Sequence, residues 1–370
     1  MTRCPSCGTT YADDAKFCTR DGSKLVAMPR PAATPVVMPA TPKQQPPLLD
    51  LGTPARGTAP QRREPPAPLT HTKLVGNVLD ARYQIEKKIG EGGMSFVYLA
   101  KDIATKERYA IKVLSAALSK DQNAMQRLKR EASLGMRLAH PNVCHIIRLG
   151  ETQDGLVYVV MPFVKGEILS DRNNREGVLT LDVVVRFVTH IAAGLHVAHE
   201  LKIVHRDLKP ENVMVCTDPD GSERAVVMDF GLAKERRADA ELQKLTATGI
   251  ILGTPEFMSP EQLRGKPLDS RTDVYSLALM TFEMLTGQLP FAGKTQQEMM
   301  IARLKSEPTT LRQARPELGF SEAVERVLLK GMSRDLDARY ATAPEFASAL
   351  AQAASGKWND GGMLGRLFNR

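Results

Sequence analysis

Residues 203–215, IVHRDLKPENVMV, bring an acid, a cation and an amide within six positions of one another. Asp207 can accept a proton, Lys209 places a positive charge beside it, and Asn212 carries an amide oxygen that can bind Mg²⁺. Further on, VVMDFGLAK puts the carboxylate of Asp229 at the end of a predicted strand and next to a glycine, which also suits Mg²⁺. These residue types, in this order, predict chemistry on phosphoryl groups.

A glycine-rich segment upstream could hold the phosphates. IGEGGMSFVYLA places Gly90 and Gly92 between two predicted strands, where glycines let backbone N–H groups approach an anion closely. Such hairpins are also common structural turns, so this segment alone decides little. Lys112 lies within the apolar strand YAIKVL and needs a counter-charge or an anionic ligand. Glu131, on the predicted helix that follows, could supply that charge.

The elements around these residues divide into strands followed by helices. YQIEKKIG, SFVYLAKD and ERYAIKVL have the alternation and β-branched content of strands, and LVYVVMPFV is apolar enough for a buried one. Helical periodicity begins in DQNAMQRLKREASLGMRLAH and dominates after residue 260. This order predicts an α+β fold with a small sheet-rich lobe followed by a larger helical one.

Composition and charge argue against several classes of protein. The 370 residues carry a net charge of +8, but Lys and Arg are interleaved with acids, so we expect solvated surface rather than a nucleic-acid or membrane site. There is no apolar run of eighteen residues and no apolar core of a secretory signal, so neither a transmembrane helix nor secretion is predicted. We expect a cytoplasmic protein in which the isolated Cys144 and Cys216 are buried like apolar residues.

Four candidate metal ligands lie near the N-terminus. Cys4 and Cys7 form a Cys-x-x-Cys, Cys18 begins a second such pair, and Asp21 occupies the place of its second cysteine. They predict a zinc-ribbon-like module over residues 1–25 in which three thiolates and one carboxylate bind Zn²⁺. A site completed by water or by a partner's residue, and a metal-free turn, stay open as alternatives.

From about Tyr83 to Ala351 the chain resembles the bacterial eukaryotic-like (Hanks-type) protein Ser/Thr kinases. The motifs that carry the resemblance are the glycine-rich loop, AIK, HPN, HRDLKPEN, DFG, GTPEFMSPEQ, DVYSLALMTFEMLTG and DLDARY, in that order. The resemblance implies a bilobal protein-kinase fold over residues 79–352. It places a small β-rich N-lobe at about 79–164 and a larger α-helical C-lobe at about 165–352.

Two segments of low complexity or irregular pattern flank this region. Residues 26–78 are rich in Pro, Ala, Thr and Gln and predict a disordered linker with polyproline II character. Residues 353–370 form a C-terminal tail with apolar residues at helical spacing beside two arginines. A frayed end is the expectation for that tail, and docking on a partner or a membrane surface is the alternative.

The resemblance also assigns catalytic roles. Lys112 would hold the α- and β-phosphates of ATP and pair with Glu131. Asp207 would orient and deprotonate the hydroxyl group of the substrate, and Lys209 would steady the transferring phosphoryl group. The lysine within HRDLKPEN resembles the form specific for serine and threonine rather than the form specific for tyrosine.

ATP is therefore the implied phosphate donor, with Mg²⁺, or Mn²⁺ in its place, held by Asn212 and Asp229. The carbonyl of Pro162 and the N–H of Val164 would bind the adenine edge, and Met161 would be the gatekeeper behind the adenine pocket. The residues expected to form the ATP site are Gly90, Glu91, Gly92, Gly93, Val97, Ala110, Lys112, Met161, Pro162, Val164 and Met214.

Residues 234–253 should form the activation loop of such a kinase. Thr246 and Thr248 match the positions that are phosphorylated in the family, and we expect autophosphorylation there. Arg206 would bind the resulting phosphate through charge-assisted hydrogen bonds. Thr254 would brace the catalytic acid and lysine near the acceptor hydroxyl.

Two residues depart from the family pattern. Ser95 replaces the third glycine of the glycine-rich loop, which nucleotide binding tolerates. Gly135 lies one turn after Glu131, in what we expect to be a helix interior, where glycine costs about 0.5–1 kcal/mol relative to alanine. We therefore expect this helix to be mobile, and its pairing with Lys112 to depend on activation or on a partner.

Two interpretations concern packing rather than chemistry. Glu261 and Arg339 resemble the family's buried ion pair in the C-lobe, which is structural. His196 and His199 are three positions apart on a predicted helix, as metal ligands can be, but no third ligand is evident. We expect both to be ordinary helix residues.

Two other hypotheses compete with that of an active protein kinase. A pseudokinase scaffold that binds nucleotide would lack one or more catalytic residues, whereas all of them are present here. A nucleic-acid-binding N-terminal module would need more basic and aromatic residues than the sequence provides. We expect protein substrates, a docking partner for the N-terminal module and no nucleic acid, and the resemblance allows dimerisation for autophosphorylation.

Overall fold

The computed structural model describes residues 2–3, 10–11, 26–27, 74–92, 95–114, 122–230, 255–293 and 295–357. The chain divides into two compact units, Met1–Pro65 and Pro66–Arg370. The predicted zinc ligands, most of the predicted linker, the activation loop and residues 358–370 of the predicted C-terminal tail lie outside the described residues, whereas the last helix extends into that tail as far as Ala354.

The N-terminal unit contains a three-stranded antiparallel sheet. Strand β1 (Thr2–Arg3) lies at its centre, between β2 (Thr10–Tyr11) and β3 (Val26–Ala27). Thr2 is in register with Tyr11 on one side and with Ala27 on the other. Because β2 and β3 both run antiparallel to β1, they run parallel to each other on its two sides.

The small lobe of the second unit is a six-stranded antiparallel sheet in the order β4-β5-β6-β7-β9-β8. Its alternating sequences bury both faces: Ala110, Val159 and Met161 lie in one cluster, and Tyr98 and Tyr158 in the other. The strands are β4 (Val78–Leu79), β5 (Tyr83–Gly92), β6 (Ser95–Asp102), β7 (Arg108–Leu114), β8 (Arg148–Glu151) and β9 (Val157–Pro162).

Among the described residues of the small lobe, helix α1 (Gln122–Gly135) packs on the sheet, and Leu128 and Ala132 bury its apolar side in the same cluster as Met161. Gly135 is the last residue of this helix and not an interior residue as expected. The predicted cost of a glycine within the helix therefore does not apply, since the penalty belongs to interior positions.

The large lobe is helical, as predicted, around the long helices α3 and α5. The described helices are α2 (Leu169–Glu176), α3 (Leu181–Glu200), α4 (Pro260–Leu263), α5 (Ser270–Thr286), α6 (Gln296–Lys305), α7 (Leu311–Ala314), α8 (Glu322–Gly331) and α9 (Ala343–Ala354). The large lobe also has a small sheet, which consists of β10 (Glu167–Ile168), β11 (Val213–Thr217) and β12 (Glu223–Val227). Strand β11 begins directly after Asn212, and strand β12 ends two residues before Asp229.

Helix α3 is long and apolar enough to cross a membrane by length and composition alone, and it is the only such helix among the described residues. Phe187, Ile191 and Leu195 on this helix are completely buried in the core of the large lobe. Its apolar composition is thus accounted for by packing against α5 and α9.

Candidate active site

The loop that carries Asp207 is fixed by one buried carboxylate at the start of α5. Asp273 accepts hydrogen bonds from the backbone N–H groups of His205, at 2.8 Å, and Arg206, at 3.0 Å. His199 Nε2 lies 2.7 Å from the same carboxylate. Arg206 has a φ of 64°, a left-handed conformation that a non-glycine residue adopts only when its surroundings hold it there.

Asp273 is charged although it is completely buried. Burial opposes its ionisation, but the hydrogen bond and charge of His199 and the backbone N–H of His205 outweigh that effect, so the pKa of Asp273 lies below its usual value. Because these hydrogen bonds satisfy the buried charge, they hold the backbone at His205 and Arg206 in place. The candidate general base therefore extends from a rigid loop.

Asp207, Lys209 and Asn212 converge as the sequence predicts. Asn212 Nδ2 donates to both the backbone carbonyl and the Oδ2 of Asp207, each at 2.7 Å. Lys209 Nζ lies 3.8 Å from the same Oδ2. Because the amide nitrogen of Asn212 is engaged by Asp207, its Oδ1 is the atom left for a cation.

Asp229 follows the end of β12 by two residues and has a φ of 52°. Its neighbour Met228 donates a backbone hydrogen bond to the carbonyl of Asn212 at 2.8 Å. Lys112 Nζ on strand β7 lies 2.8 Å from Asp229 Oδ1. His205 connects the two loops, because its Nε2 lies 2.9 Å from the carbonyl of Met228 and its ring packs edge-on against Phe230, with centroids 4.8 Å apart. The predicted phosphate-binding lysine and the predicted Mg²⁺ ligand thus meet in one site.

Glu131 lies in α1, but its side chain is outside what the structure describes. Its pairing with Lys112 stays a prediction, as does the mobility of the helix. Arg206, the predicted phosphate ligand, lies beside Asp207 in the loop already described, whereas Thr246, Thr248 and Thr254 are outside the described residues.

The residues predicted to enclose adenine do lie together. Ala110 is paired in register with Met161, and Gly90 with Val97, across neighbouring strands. Five of the residues predicted to form the ATP site belong to one apolar cluster. They are Val97, Ala110, Met161, Val164 and Met214. Strand β9 ends at Pro162. The carbonyl oxygen of Pro162 accepts a hydrogen bond from Cys144 Sγ at 3.7 Å.

The glycine-rich loop is described only in part. Gly90, Glu91 and Gly92 end strand β5, and Ser95 begins β6, while Gly93 lies outside the described residues. Glu91 Oε2 is 2.5 Å from Lys88 Nζ. This carboxylate therefore pairs with a lysine that is not one of the residues predicted to form the ATP site.

Two structural predictions are confirmed. Arg339 and Glu261 form a buried two-pronged ion pair, with N–O distances of 2.8 and 2.7 Å. Cys144 and Cys216 are buried free thiols, and burial raises the pKa of Cys144 to about 12, which makes it inert at neutral pH.

The sequence analysis missed the roles of His199 and Asp273. His199 Nε2 contacts Asp273, and through that carboxylate it supports the loop that carries Asp207. A charged residue at the start of the long apolar helix α5 is the signal that could have revealed this, since a buried charge requires partners. Among the residues that the structure describes, no group of three His, Cys, Asp or Glu side chains could hold a metal ion.

A partly buried carboxylate on α5 also has a shifted pKa. Glu283 on α5 has Asn173 Nδ2 as a distant hydrogen-bond donor, at 3.5 Å. Burial, followed by the charges of Glu211 and Glu256, raises the pKa of Glu283 to about 7. The carboxyl group of Glu283 therefore changes its charge near neutral pH.

Comparisons with known proteins agree on one family. The family model described as "Protein kinase domain" matches residues 83–350. The serine/threonine-protein kinase pkn3 of Myxococcus xanthus is 36% identical over 278 residues, which are 75% of this chain and 51% of the relative. PknB of Mycobacterium leprae, also a serine/threonine-protein kinase, is 34% identical over 75% of this chain and 44% of its own length. The chain thus spans about half the length of the curated relatives it matches.

A solved structure shows the same fold. The crystal structure of the PknI kinase domain of Mycobacterium tuberculosis superposes with a TM-score of 0.58 at 27% identity. The match covers 76% of this chain and 99% of that domain. The bilobal arrangement of a β-rich lobe and a helical lobe is therefore confirmed.

Proposed function

The chain belongs to the protein kinase family, and we propose that it transfers the γ-phosphate of ATP to Ser and Thr hydroxyls of protein substrates. The observation that carries this proposal is the convergence of Lys112, of Asp207 with Asn212, and of Asp229 from three separate segments. Relatives named as serine/threonine-protein kinases, at 34–36% identity over the matched region, support the choice of acceptor.

The donor set fits Mg²⁺ or Mn²⁺ together with ATP. Asn212 presents its amide oxygen because its nitrogen donates to Asp207, and Asp229 offers a carboxylate. One carboxylate and one amide suit a cation that takes its remaining ligands from phosphates and water. When bound, Mg²⁺ would neutralise charge on the phosphates.

The chain's own residues would perform the remaining tasks. Asp207, oriented by Asn212, would accept the proton of the substrate hydroxyl. Lys112 would exchange its contact with Asp229 for the α- and β-phosphates, and Lys209, which lies 3.8 Å from Asp207 Oδ2, would face the transferring group. Because phosphoryl transfer depends on position and charge, the rigid loop anchored by Asp273 is the main protein contribution.

We also propose regulation by autophosphorylation of Thr246 and Thr248. A phosphate there would gain charge-assisted hydrogen bonds to Arg206, whose backbone is already held by Asp273. Dimerisation would bring one activation loop to the site of a second copy. ATP as the donor and the proposed regulation fit a cytoplasmic location.

For the N-terminal unit we propose a zinc-ribbon-like module that docks the kinase on a partner. The small sheet supports this, because Cys4 and Cys7 fall in the connection between β1 and β2, and Cys18 and Asp21 in the connection between β2 and β3. Two ligand pairs from successive connections could together supply the four ligands of a tetrahedral zinc site.

The experiment for the proposed activity is transfer of labelled phosphate from ATP, with Mg²⁺, to a generic protein acceptor and to the chain itself. Acid hydrolysis and separation of the labelled amino acids should give phosphoserine and phosphothreonine. Nucleotide binding without any transfer would instead support the pseudokinase alternative, and phosphotyrosine alone would refute the assignment of acceptor.

A further inference from the structure

One aspartate joins the two edges of the small-lobe sheet. Asp80 directly follows β4 at one edge, and its Oδ2 accepts a hydrogen bond from Arg148 Nη2 of β8, at the other edge, over 2.6 Å. The same oxygen accepts a hydrogen bond from the hydroxyl of Tyr158 in β9, also over 2.6 Å. The edges of a flat six-stranded sheet would lie about 24 Å apart, so this sheet must curl to bring the three residues together. We call Asp80, Arg148 and Tyr158 the clasp.

The surroundings of the clasp are shaped to hold it. Tyr158 is completely buried and lies in register with Gly150 of β8, where a Cβ atom would be 2.2 Å from Tyr158 Cζ. Glycine at this position therefore lets the tyrosine ring lie over β8. Asp80 and Ala81 both have a φ of 52°, a left-handed conformation that non-glycine residues keep where their neighbours hold them.

The segment that carries Asp80 is itself fixed to the sheet. Leu74 and Leu79 are completely buried in the same apolar cluster as Tyr158. The backbone groups of Ile85 in β5 form hydrogen bonds with residues 76 and 77, at 3.0 and 2.9 Å. A displacement of Asp80 would therefore displace β5 as well.

The two strands that the clasp joins lead to the two halves of the proposed nucleotide site. Strand β5 ends in Gly90–Gly92, the beginning of the glycine-rich loop that is predicted to hold the phosphates. Arg148 is in register with Val160 of β9, and β9 ends at Pro162, which is predicted to bind the adenine edge. The clasp thus connects the strand that leads to the phosphates with the strand that leads to adenine.

We propose that Asp80 is a positioning residue for ATP in the function proposed above, on which this inference rests. By closing the sheet on itself, the clasp sets the distance between the glycine-rich loop and the adenine-binding end of β9. ATP must contact both at once, whereas adenosine occupies the adenine half alone. The affinity for a nucleoside triphosphate therefore depends on the clasp more than the affinity for a nucleoside does.

The test compares the binding of two ligands to the full chain by calorimetry: the non-hydrolysable β,γ-imido analogue of ATP, with Mg²⁺, and adenosine. Asp80→Ala should weaken binding of the analogue about tenfold, the worth of a hydrogen bond to a charged group, and binding of adenosine less than about twofold. Asp80→Asn, which keeps an acceptor oxygen without the charge, should recover part of the loss. Asp154→Ala, at an exposed carboxylate in the turn between β8 and β9, is the matched control and should change neither affinity.

A second variant tests whether the contact itself is responsible. Tyr158→Phe removes only the hydroxyl group and should weaken binding of the analogue about threefold. In the Asp80→Ala background the same substitution should have no further effect, because its partner is already gone. Should Asp80→Ala fail to fold, the comparison of the two ligands with Tyr158→Phe still decides.

Each outcome counts for or against the proposal. Unchanged affinity for the analogue in Asp80→Ala would overturn it, and so would a Tyr158→Phe effect that persists in that background. Equal losses for the analogue and adenosine would make the clasp merely structural. Absence of phosphate transfer by the unsubstituted chain would refute the proposed function alone, since this comparison needs only binding, whereas failure of the unsubstituted chain to bind the analogue would refute both.

Discussion

His199 on helix α3 lies 2.7 Å from Asp273 on helix α5, and that carboxylate holds the backbone immediately before the candidate general base. The two residues are 74 positions apart in the chain. The pair joins the two central helices of the large lobe to the catalytic loop. It shows how the large lobe fixes the position of Asp207.

Replacing His199 by Ala should destabilise the protein by about 1–3 kcal/mol, because a buried carboxylate loses one of its hydrogen-bond partners. The rate of phosphate transfer per folded molecule should also fall, since Asp273 would no longer be held, and His199→Gln should restore part of it. His196→Ala is the control, because His196 is exposed on the same helix. Chemical denaturation and steady-state kinetics measure both effects, and equal behaviour of the His199→Ala and His196→Ala variants would contradict the proposed anchor.

Removing Arg339 should destabilise the large lobe strongly. Arg339→Met would leave the buried carboxylate of Glu261 without its partner, which costs about 3–5 kcal/mol. Arg326→Met removes a surface ion pair whose arginine is 51% exposed and should change the free energy of unfolding by less than about 0.5 kcal/mol. The measurement is urea denaturation of both variants, and a loss below about 1 kcal/mol in Arg339→Met would refute the prediction.

The pKa of Glu283 predicts how stability depends on pH. A glutamate in an unfolded chain titrates near 4.3, whereas Glu283 in the folded protein titrates at about 7. Between these values the folded state keeps a proton that the unfolded state has lost, so this group's contribution falls as pH rises through that range and is constant above it.

Glu283→Gln removes this titration. The free energy of unfolding of the variant, relative to the unsubstituted chain, should rise by about 1–3 kcal/mol between pH 5 and pH 8. Glu322→Gln, at a site that is exposed, should show no such change. Denaturation curves at the two pH values decide, and parallel behaviour of the two variants would mean that Glu283 titrates normally.

Metal removal tests the N-terminal module. The purified full chain should contain about one zinc ion per molecule by elemental analysis, and Cys4→Ser should lose most of it. Asp21→Ala should bind zinc more weakly, whereas Asp13→Ala, a carboxylate outside the proposed ligand set, should keep it. A zinc-free unsubstituted chain, purified without chelators, would end the proposal. Phosphate transfer by the kinase domain should survive zinc removal, because the proposed site takes no part in catalysis.

Much of the fold and site could be predicted because local patterns encode them. The alternation in SFVYLAKD and RYAIKVL corresponds to β6 and β7, and the loop from His205 to Asn212 brings its polar residues together through contacts only a few positions apart. The buried pair of Glu261 and Arg339 followed from the family resemblance.

Contacts between distant segments could not be read from the sequence alone. The partnership of His199 with Asp273 depends on how two helices pack, which neither helix's periodicity specifies. The spacing after Glu131 predicted that Gly135 lies in a helix interior, whereas the helix ends at Gly135.

The most direct test of the account is phosphate transfer by Asp207→Asn. Asparagine keeps the shape of the side chain and can still contact Asn212, but it cannot accept the proton of the substrate hydroxyl. We predict a fall in kcat of about 10²–10⁴ with nucleotide affinity and thermal stability preserved. Transfer by Asp207→Asn at the rate of the unsubstituted chain would contradict the assignment of this site as the active centre of a protein kinase.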